Sequence, residues 1–458
     1  SGGAPPGAPI LLWTNGGPGA SSMFGLLVEL GPLVVNDDSF ETDSYAETGV
    51  PTLFRNEYAW TKLGGVVMFD WSPPVGFSYC DDPSSGDPLS CGAWEDSRMA
   101  RLMAGAVTGF FDKFPELLAN DLYLTGESYA GVYVPLLAEQ LMNRRSEFPN
   151  LKGFAVGDAC AGTDVVCGGG EAPWWSVIFL YGHGQVSNAL FDAIVASCGL
   201  EYLKNLAAEP LDAECAALLA SMRPSAGGYY EYNLYDDCAY EDDIRRRRKL
   251  GAVNDYVCGG GVAQNAWVNV SEVRAALHVP EDSTFFSIDG GSFYHSTEPD
   301  VSRVFKQGAD LGLKMLVYNG DTDPSINSFI AQNWTSYLFD LVDDWTPWTL
   351  DSCLRMGGYV LRYEHDFDFL TIRGSGHMVP QFKPAAAFSF LEDWLAGAPY
   401  KPYVSDCTAP ASGETELKPM VLPPLTDEAA AQSAPLSHNM MTSSSEENPA
   451  SDAAAPLR

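Results

Sequence analysis

The residue best placed for covalent chemistry is Ser128, in Gly126-Glu127-Ser128-Tyr129-Ala130-Gly131, which follows the apolar run Asp121-Leu122-Tyr123-Leu124-Thr125. Small residues around a serine between a strand and a helix allow the sharp turn of a nucleophile elbow, which lifts the hydroxyl above the carboxyl edge of a parallel sheet. The usual spacing is G-x-S-x-G; here the second small position is Ala130, with Gly131 one place later. A serine hydroxyl is a weak nucleophile at neutral pH, so it needs a base to take its proton and a carboxylate to orient that base. Six histidines compete for the first role: His183, His278, His295, His365, His377 and His438. Only His377 follows a strand-like run, Phe367 to Ile372, on a glycine-flanked loop, Gly374-Ser375-Gly376-His377-Met378-Val379-Pro380. His278, in the amphipathic stretch Val273 to Val279, reads as a packed helical histidine, and His438 falls in a tail of unfolded composition. For the acid, the apolar run Leu313 to Tyr318 leads into Asn319-Gly320-Asp321-Thr322-Asp323-Pro324. Asp321 and Asp323 are both candidates there, and either could simply form the turn.

The chain order serine, aspartate, histidine is that of α/β hydrolases. Acyl transfer also needs hydrogen-bond donors aimed at the developing oxyanion. Ile10-Leu11-Leu12-Trp13-Thr14 reads as a strand and opens into Asn15-Gly16-Gly17-Pro18-Gly19-Ala20-Ser21-Ser22, similar to the glycine-rich loop that supplies an oxyanion N–H in esterases. Strands that each deliver one group at their carboxyl ends are what must position these residues. The expected fold class is therefore α/β: an α/β-hydrolase fold, with a mostly parallel central sheet flanked by helices.

Asn15-Gly16-Gly17-Pro18-Gly19, Gly126 to Gly131, Gly320-Asp321-Thr322-Asp323 and Gly376-His377-Met378-Val379-Pro380 resemble, in order, the four signature blocks of serine carboxypeptidases. Phe69-Asp70-Trp71-Ser72-Pro73-Pro74-Val75-Gly76-Phe77-Ser78-Tyr79 is similar to a further block of that family. The likeness runs over residues 8 to 400. It implies Ser128 as nucleophile, His377 as general base and Asp323 as its orienting partner, with the N–H groups of Gly17 and Tyr129 as the oxyanion hole. It also implies that Asn15 and Glu127, backed by Glu29, bind the free C-terminal carboxylate of a peptide. A buried Glu127 near Glu29 and facing a substrate carboxylate favours its protonated form, through desolvation and like charge, and a protonated carboxyl can donate a hydrogen bond. The expectation is a serine-type carboxypeptidase acting through an acyl-enzyme with an acidic optimum. His377 must nevertheless stay neutral to act as base.

The chain also departs from the family pattern. Ala20 and Ile326 stand at or near places where the family commonly has cysteine, which implies that one common family disulfide is missing; Asp70-Trp71 and Gly157-Asp158 differ from the more usual residues of their blocks. The family has further strands before the segment that begins here at Ile10, and without them a sheet edge stays unpaired. Since the sequence starts at Ser1 with neither methionine nor signal peptide, it reads as a processed or partial product.

With 458 residues, 46% apolar and 19% charged, the chain has a globular composition that suits one enlarged catalytic domain. A formal charge of −34 argues against nucleic acid and anionic membranes as partners, and no apolar run approaches a membrane span. Ten cysteines point to an oxidising compartment, as do the sequons Asn269-Val270-Ser271 and Asn333-Trp334-Thr335. Cys160 and Cys167 lack metal-binding spacing, and the implied chemistry calls for no cofactor and no metal. The expected location is the secretory pathway, in a vacuole or lysosome or outside the cell. The expected partners are peptide or protein C-termini, with a homodimer also open.

The expected organisation is a first core part over residues 1–160, an inserted lid over 161–302, a second core part over 303–407 and an unfolded tail over 408–458. Trp174, Trp175, Tyr229 and Tyr230 are candidate pocket walls, though packing within the lid is the stronger reading of them. Arg245-Arg246-Arg247-Arg248-Lys249 is the one dense basic run; it could be a solvated patch, a partner of Glu241-Asp242-Asp243 or a processing site, and processing is favoured. Two other functions remain open for this sequence: an acyltransferase of the same superfamily, and a non-catalytic protective partner built on the same scaffold.

Overall fold

The structure, a computed structural model, describes residues 7–405 apart from 81–86, 88, 168–171, 206–211, 237, 239–254, 281–282, 286–292 and 354. The basic run at Arg245 to Lys249, His438 and the tail from 408 therefore lie outside the described residues. The central sheet has eight strands: β1 (Ile10–Thr14), β2 (Gly65–Met68), β3 (Leu122–Glu127), β4 (Leu151–Gly157), β5 (Lys314–Gly320), β6 (Leu341–Thr349), β7 (Met356–Tyr363) and β8 (Phe367–Ile372). Their spatial order is β6-β7-β8-β5-β4-β3-β1-β2. The six strands from β8 to β2 are parallel, and β7 runs antiparallel to both of its neighbours. This is the mostly parallel α/β-hydrolase sheet that the sequence calls for. Among the described residues β2 is paired on one side only.

Near-continuous apolar runs in the central strands reflect burial on both faces. Side chains alternate with the pleat. Leu12, Leu124, Phe154, Val156, Met315 and Val317 face one apolar cluster, which includes Met99 and Met103 of α1 (Asp96–Lys113) and Val134 and Leu137 of α2 (Ala130–Met142). Leu11, Trp13, Tyr123, Ala155, Leu316 and Tyr318 face the opposite cluster, closed by Phe390 and Trp394 of a helix at Pro384–Ala396. With every central strand held from two sides, the carboxyl ends of β1, β3, β4, β5 and β8 form one rigid rim.

Between β4 and β5 the chain leaves the sheet. There α3 (Trp174–Gly182), α4 (Asn188–Cys198), α5 (Leu200–Asn205) and α6 (Ala213–Ala226) build an apolar cluster of their own around Val177, Phe179, Ile194, Leu203 and Met222. Disulfides join Cys80 to Cys91, Cys160 to Cys167, Cys198 to Cys215 and Cys238 to Cys258, and Cys353 is disulfide-bonded as well. Among the described residues no helix is long and apolar enough to cross a membrane.

Candidate active site

β3 runs directly into Ser128, whose φ of 64° marks the strained turn of an elbow, and α2 starts at Ala130. The spacing of the small residues has a steric cause. A methyl group on Gly126 would lie 2.6 Å from the Ala130 Cβ and 2.6 Å from the Thr14 carbonyl oxygen, so alanine fits at 130 because 126 is glycine. Gly131 answers to a different neighbour, the loop after β4, where an added Cβ would lie 2.7 Å from that of Ala159. Two backbone bonds fix the turn: Ser128 N donates to Gly157 O at 2.9 Å, and Cys160 N donates to Ser128 O at 3.0 Å. The nucleophile candidate is half-buried at the end of the central strand.

Asp323 and His377 come from the loops after β5 and β8, which are adjacent parallel strands. His377 Nδ1 and Asp323 Oδ2 are 2.7 Å apart and both residues are buried. Asp323 also accepts from Ser325 N at 2.8 Å and Ile326 N at 3.2 Å, which fixes its carboxylate towards the imidazole. The rival Asp321 accepts from Gly374 N at 2.6 Å and so ties the two loops together. His377 is held by its own N–H, which donates to Tyr232 O at 2.7 Å, and by the Tyr232 ring 4.9 Å away. Its Nε2 is buried and has no hydrogen-bond partner among the described residues, Ser128 Oγ included. Of the remaining described histidines, His295 and His365 are exposed, and His183 Nδ1 pairs with Phe179 O at 2.8 Å. His278 corrects the expectation of a packed helical residue: the helix stops at Ala276, and His278 lies exposed beyond it at φ 56°.

The loop after β1 lies against the elbow. A Cβ on Gly16 would collide with Tyr129 N and sit 2.7 Å from the Ser128 Cβ, so only glycine lets this loop approach. Among the described residues neither Gly17 N–H nor Tyr129 N–H donates to a protein acceptor. Asp70 braces the loop from β2, accepting from Ser21 Oγ at 2.7 Å, Ser22 N at 2.9 Å and Phe77 N at 3.2 Å. The Tyr129 hydroxyl donates to buried Asp96 at 2.7 Å, which also accepts from Tyr294 at 2.8 Å.

Beneath the loop lies a second polar group. Asn15 Nδ2 donates to Glu29 Oε1 at 2.8 Å and to Glu127 Oε1 at 3.0 Å. Asn15 Oδ1 is occupied by Trp13 Nε1 at 2.9 Å and Gly25 N at 3.1 Å, which sets the direction of the amide. The two carboxyls thus share one donor, Asn15 Nδ2, and both are buried. Burial pushes Glu29 up to about 7. Glu127 is pushed well above the ordinary carboxyl range by burial and then by the charge of Glu29. The pair therefore holds protons at acidic pH.

Asp158, Asp323 and His377 form a further group, with ligand-type atoms all within 4.8 Å of one another. His377 Nδ1 is already engaged by Asp323 in that group. Asp70 stands out in the sequence only as a departure within its block, with no role attached, whereas Asp96 and Tyr232 come from segments with no pattern of their own. Of the four aromatic residues expected to line a pocket, Trp174 packs against Phe191 and Tyr229 lies over Arg223, both within the helical insertion. Trp175 packs against the main core, and Tyr230 touches Tyr232, the ring beside His377.

The sheet order, the elbow at Ser128 and the Asp323–His377 pair at the carboxyl rim define an α/β-hydrolase fold. Residues 1–397 match the family model described as serine carboxypeptidase, and the chain belongs to that family. It is 33% identical over 439 residues to the lysosomal protective protein of Mus musculus, covering 86% of each chain. It is 29% identical over 426 residues to the serine carboxypeptidase ctsa-4.1 of Caenorhabditis elegans, covering 87% of this chain and 86% of the relative. Among solved structures, the prohormone-processing carboxypeptidase Kex1ΔP of Saccharomyces cerevisiae superposes with a TM-score of 0.62 at 20% identity, over 85% of this chain and 83% of that one; this bears on the fold.

Proposed function

We propose that this chain is a serine-type carboxypeptidase that releases C-terminal amino acids from peptides through an acyl-enzyme. The observation that carries the reading is the Asn15 amide bridging two buried glutamates directly beneath the elbow. Ser128 Oγ attacks the last peptide carbonyl while His377 Nε2 takes its proton; the oxyanion is held by the N–H groups of Gly17 and Tyr129. His377 then protonates the departing amino acid, and water, activated by the same imidazole, releases the acyl group. Asn15 and protonated Glu127, backed by Glu29, take the substrate's terminal carboxylate. As pH rises through about 7, where Glu29 loses its proton, negative charge accumulates in this site and repels that carboxylate, so the reading includes an acidic optimum. The disulfides suit the secretory pathway, with a lysosome, vacuole or the extracellular space as the place of action.

The test compares an acyl dipeptide with its C-terminal amide at about pH 5. Loss of a charged hydrogen-bond partner predicts release from the amide at least ~10-fold slower in kcat/KM. Equal rates would remove the carboxylate anchor from the mechanism.

A further inference from the structure

Asp158 follows β4, is fully buried and has its backbone in the left-handed region at φ 40°. Its carboxyl, the buried Asp323 carboxyl and His377 form the group whose ligand-type atoms all lie within 4.8 Å of one another. Two buried carboxylates this close do not both ionise unless a cation compensates them. Among the described residues neither is paired with a lysine or arginine. The other ionisable groups facing Asp158 are His377, Glu127 at the end of β3 and Tyr318 of β5, and the last two only add negative charge when they ionise.

Hydrogen-bond donors decide which carboxyl keeps the charge. Asp323 accepts from His377 Nδ1 and from the Ser325 and Ile326 N–H groups. Asp158 has one backbone donor, Gly320 N at 3.0 Å and 3.2 Å from its two oxygens, and a long contact from Asn319 Nδ2 at 3.3 Å. With fewer donors, Asp158 is the carboxyl of the two better suited to hold the proton. We propose that Asp158 is a positioning residue for the triad: as a neutral acid it donates a hydrogen bond to Asp323, draws charge from that carboxylate and so lowers the basicity of His377. Burial, followed by the charge of Asp323, raises the Asp158 carboxyl well above its ordinary range, in the same sense. A less basic imidazole stays neutral at lower pH, which is what a base needs if it is to serve an enzyme that works in acid.

The inference rests on the reading of Ser128, Asp323 and His377 as a working triad. It is tested by the rate at which an uncharged fluorophosphonate labels the intact chain across pH, since the acid limb of that profile reports the base and the probe has no carboxylate to engage Glu127. Asp158→Asn, neutral and still a donor, should leave the acid limb within about 0.3 pH unit of the wild type; Asp158→Ala, with no donor, should move it upward by about 0.5 to 1 unit. A purely structural role would lower the rate at every pH without moving the limb. If the limb in Asp158→Asn falls by half a unit or more, Asp158 carries a negative charge in the wild type and the proposal is overturned; this variant decides the matter even where the alanine variant does not fold. An unmoved limb in folded Asp158→Ala also overturns it. Wild-type protein labelled no faster than Ser128→Ala would sink the triad reading and this inference together, an outcome distinct from the other two.

Discussion

Glu29→Gln tests the buried carboxyl pair through stability, independently of any activity. Burial pushes Glu29 up to about 7 from an ordinary 4.5. An unfolded chain loses this proton near the ordinary value, whereas the folded chain keeps it until about 7. Between those values folding takes up a proton, so stability falls as pH rises; below them both states are protonated, and above them both are ionised. At about 1.4 kcal/mol per pH unit for one proton, the loss between about pH 5 and about pH 8 comes to about 2.5 kcal/mol. A glutamine keeps an oxygen for Asn15 Nδ2 and presents an amide to Glu127, so the contacts survive while the proton uptake does not. It also removes the Glu29 charge, the second largest cause of the raised Glu127, which can only flatten the profile further. The measurement is urea unfolding of both proteins at the two pH values with disulfides intact. Other carboxyls raised by burial, such as Asp70 and Asp158, titrate alike in both proteins and cancel in the comparison. The stability lost by the wild type over this interval should exceed that of the variant by at least ~2 kcal/mol, and equal losses would refute a protonated Glu29.

Two further outcomes concern the elbow and the insertion. Gly126→Ala drives a methyl group to 2.6 Å from both the Ala130 Cβ and the Thr14 oxygen, and should cost about 1–3 kcal/mol in urea unfolding. Adding Ala130→Gly removes one of the two clashes and should restore part of that loss; a double variant no better than the single one would mean that Gly126 and Ala130 do not share space. Limited tryptic cleavage at the basic run Arg245 to Lys249 should yield two chains that stay together on a non-reducing gel and separate on a reducing one, because Cys238 and Cys258 flank the run and are joined. Separation without reductant would contradict that pairing.

The parts of this molecule legible in the sequence are those that obey a local rule. Parallel strands buried on both faces write themselves as apolar runs, and the loops that follow them carry glycines wherever backbones meet; Gly16, against the elbow, is the clearest case. The substitution at 130 looked like a defect in the motif, yet the steric requirement is shared between Gly126 and its neighbour, so the pair satisfies it together. What the sequence conceals is partnership at long range. Asp96 meets Tyr129 and Tyr294 across separations of 33 and 198 residues, and no local pattern marks such a contact. Asp321 and Asp323 look alike as turn residues; only the neighbouring strand, which brings His377 to one and Gly374 to the other, tells them apart. The end of a strand is easy to foresee, but what stands across from it is not.

The proposed function sets two opposing demands on pH, and two carboxyl pairs would meet them. Binding a carboxylate beside Glu29 and Glu127 needs at least one of those acids to keep its proton; burial raises both, Glu29 to about 7, and the charge of Glu29 raises Glu127 further. Accepting the serine proton needs His377 neutral, which acidic conditions oppose. A single shared environment could not meet both, because the negative charge that raises a neighbouring carboxyl also raises an imidazole. Here Glu29 and Glu127 converge on Asn15, while Asp158 lies beside Asp323 and His377, with Glu127 as the group through which the two pairs feel each other. Each pair that holds a proton carries one negative charge fewer. At Glu127 that spares the substrate carboxylate a repulsion and supplies it with a donor; at Asp158 it spares His377 an anion that would hold it protonated. Acid conditions thereby favour binding at one end of the elbow while the other end limits what they cost the base.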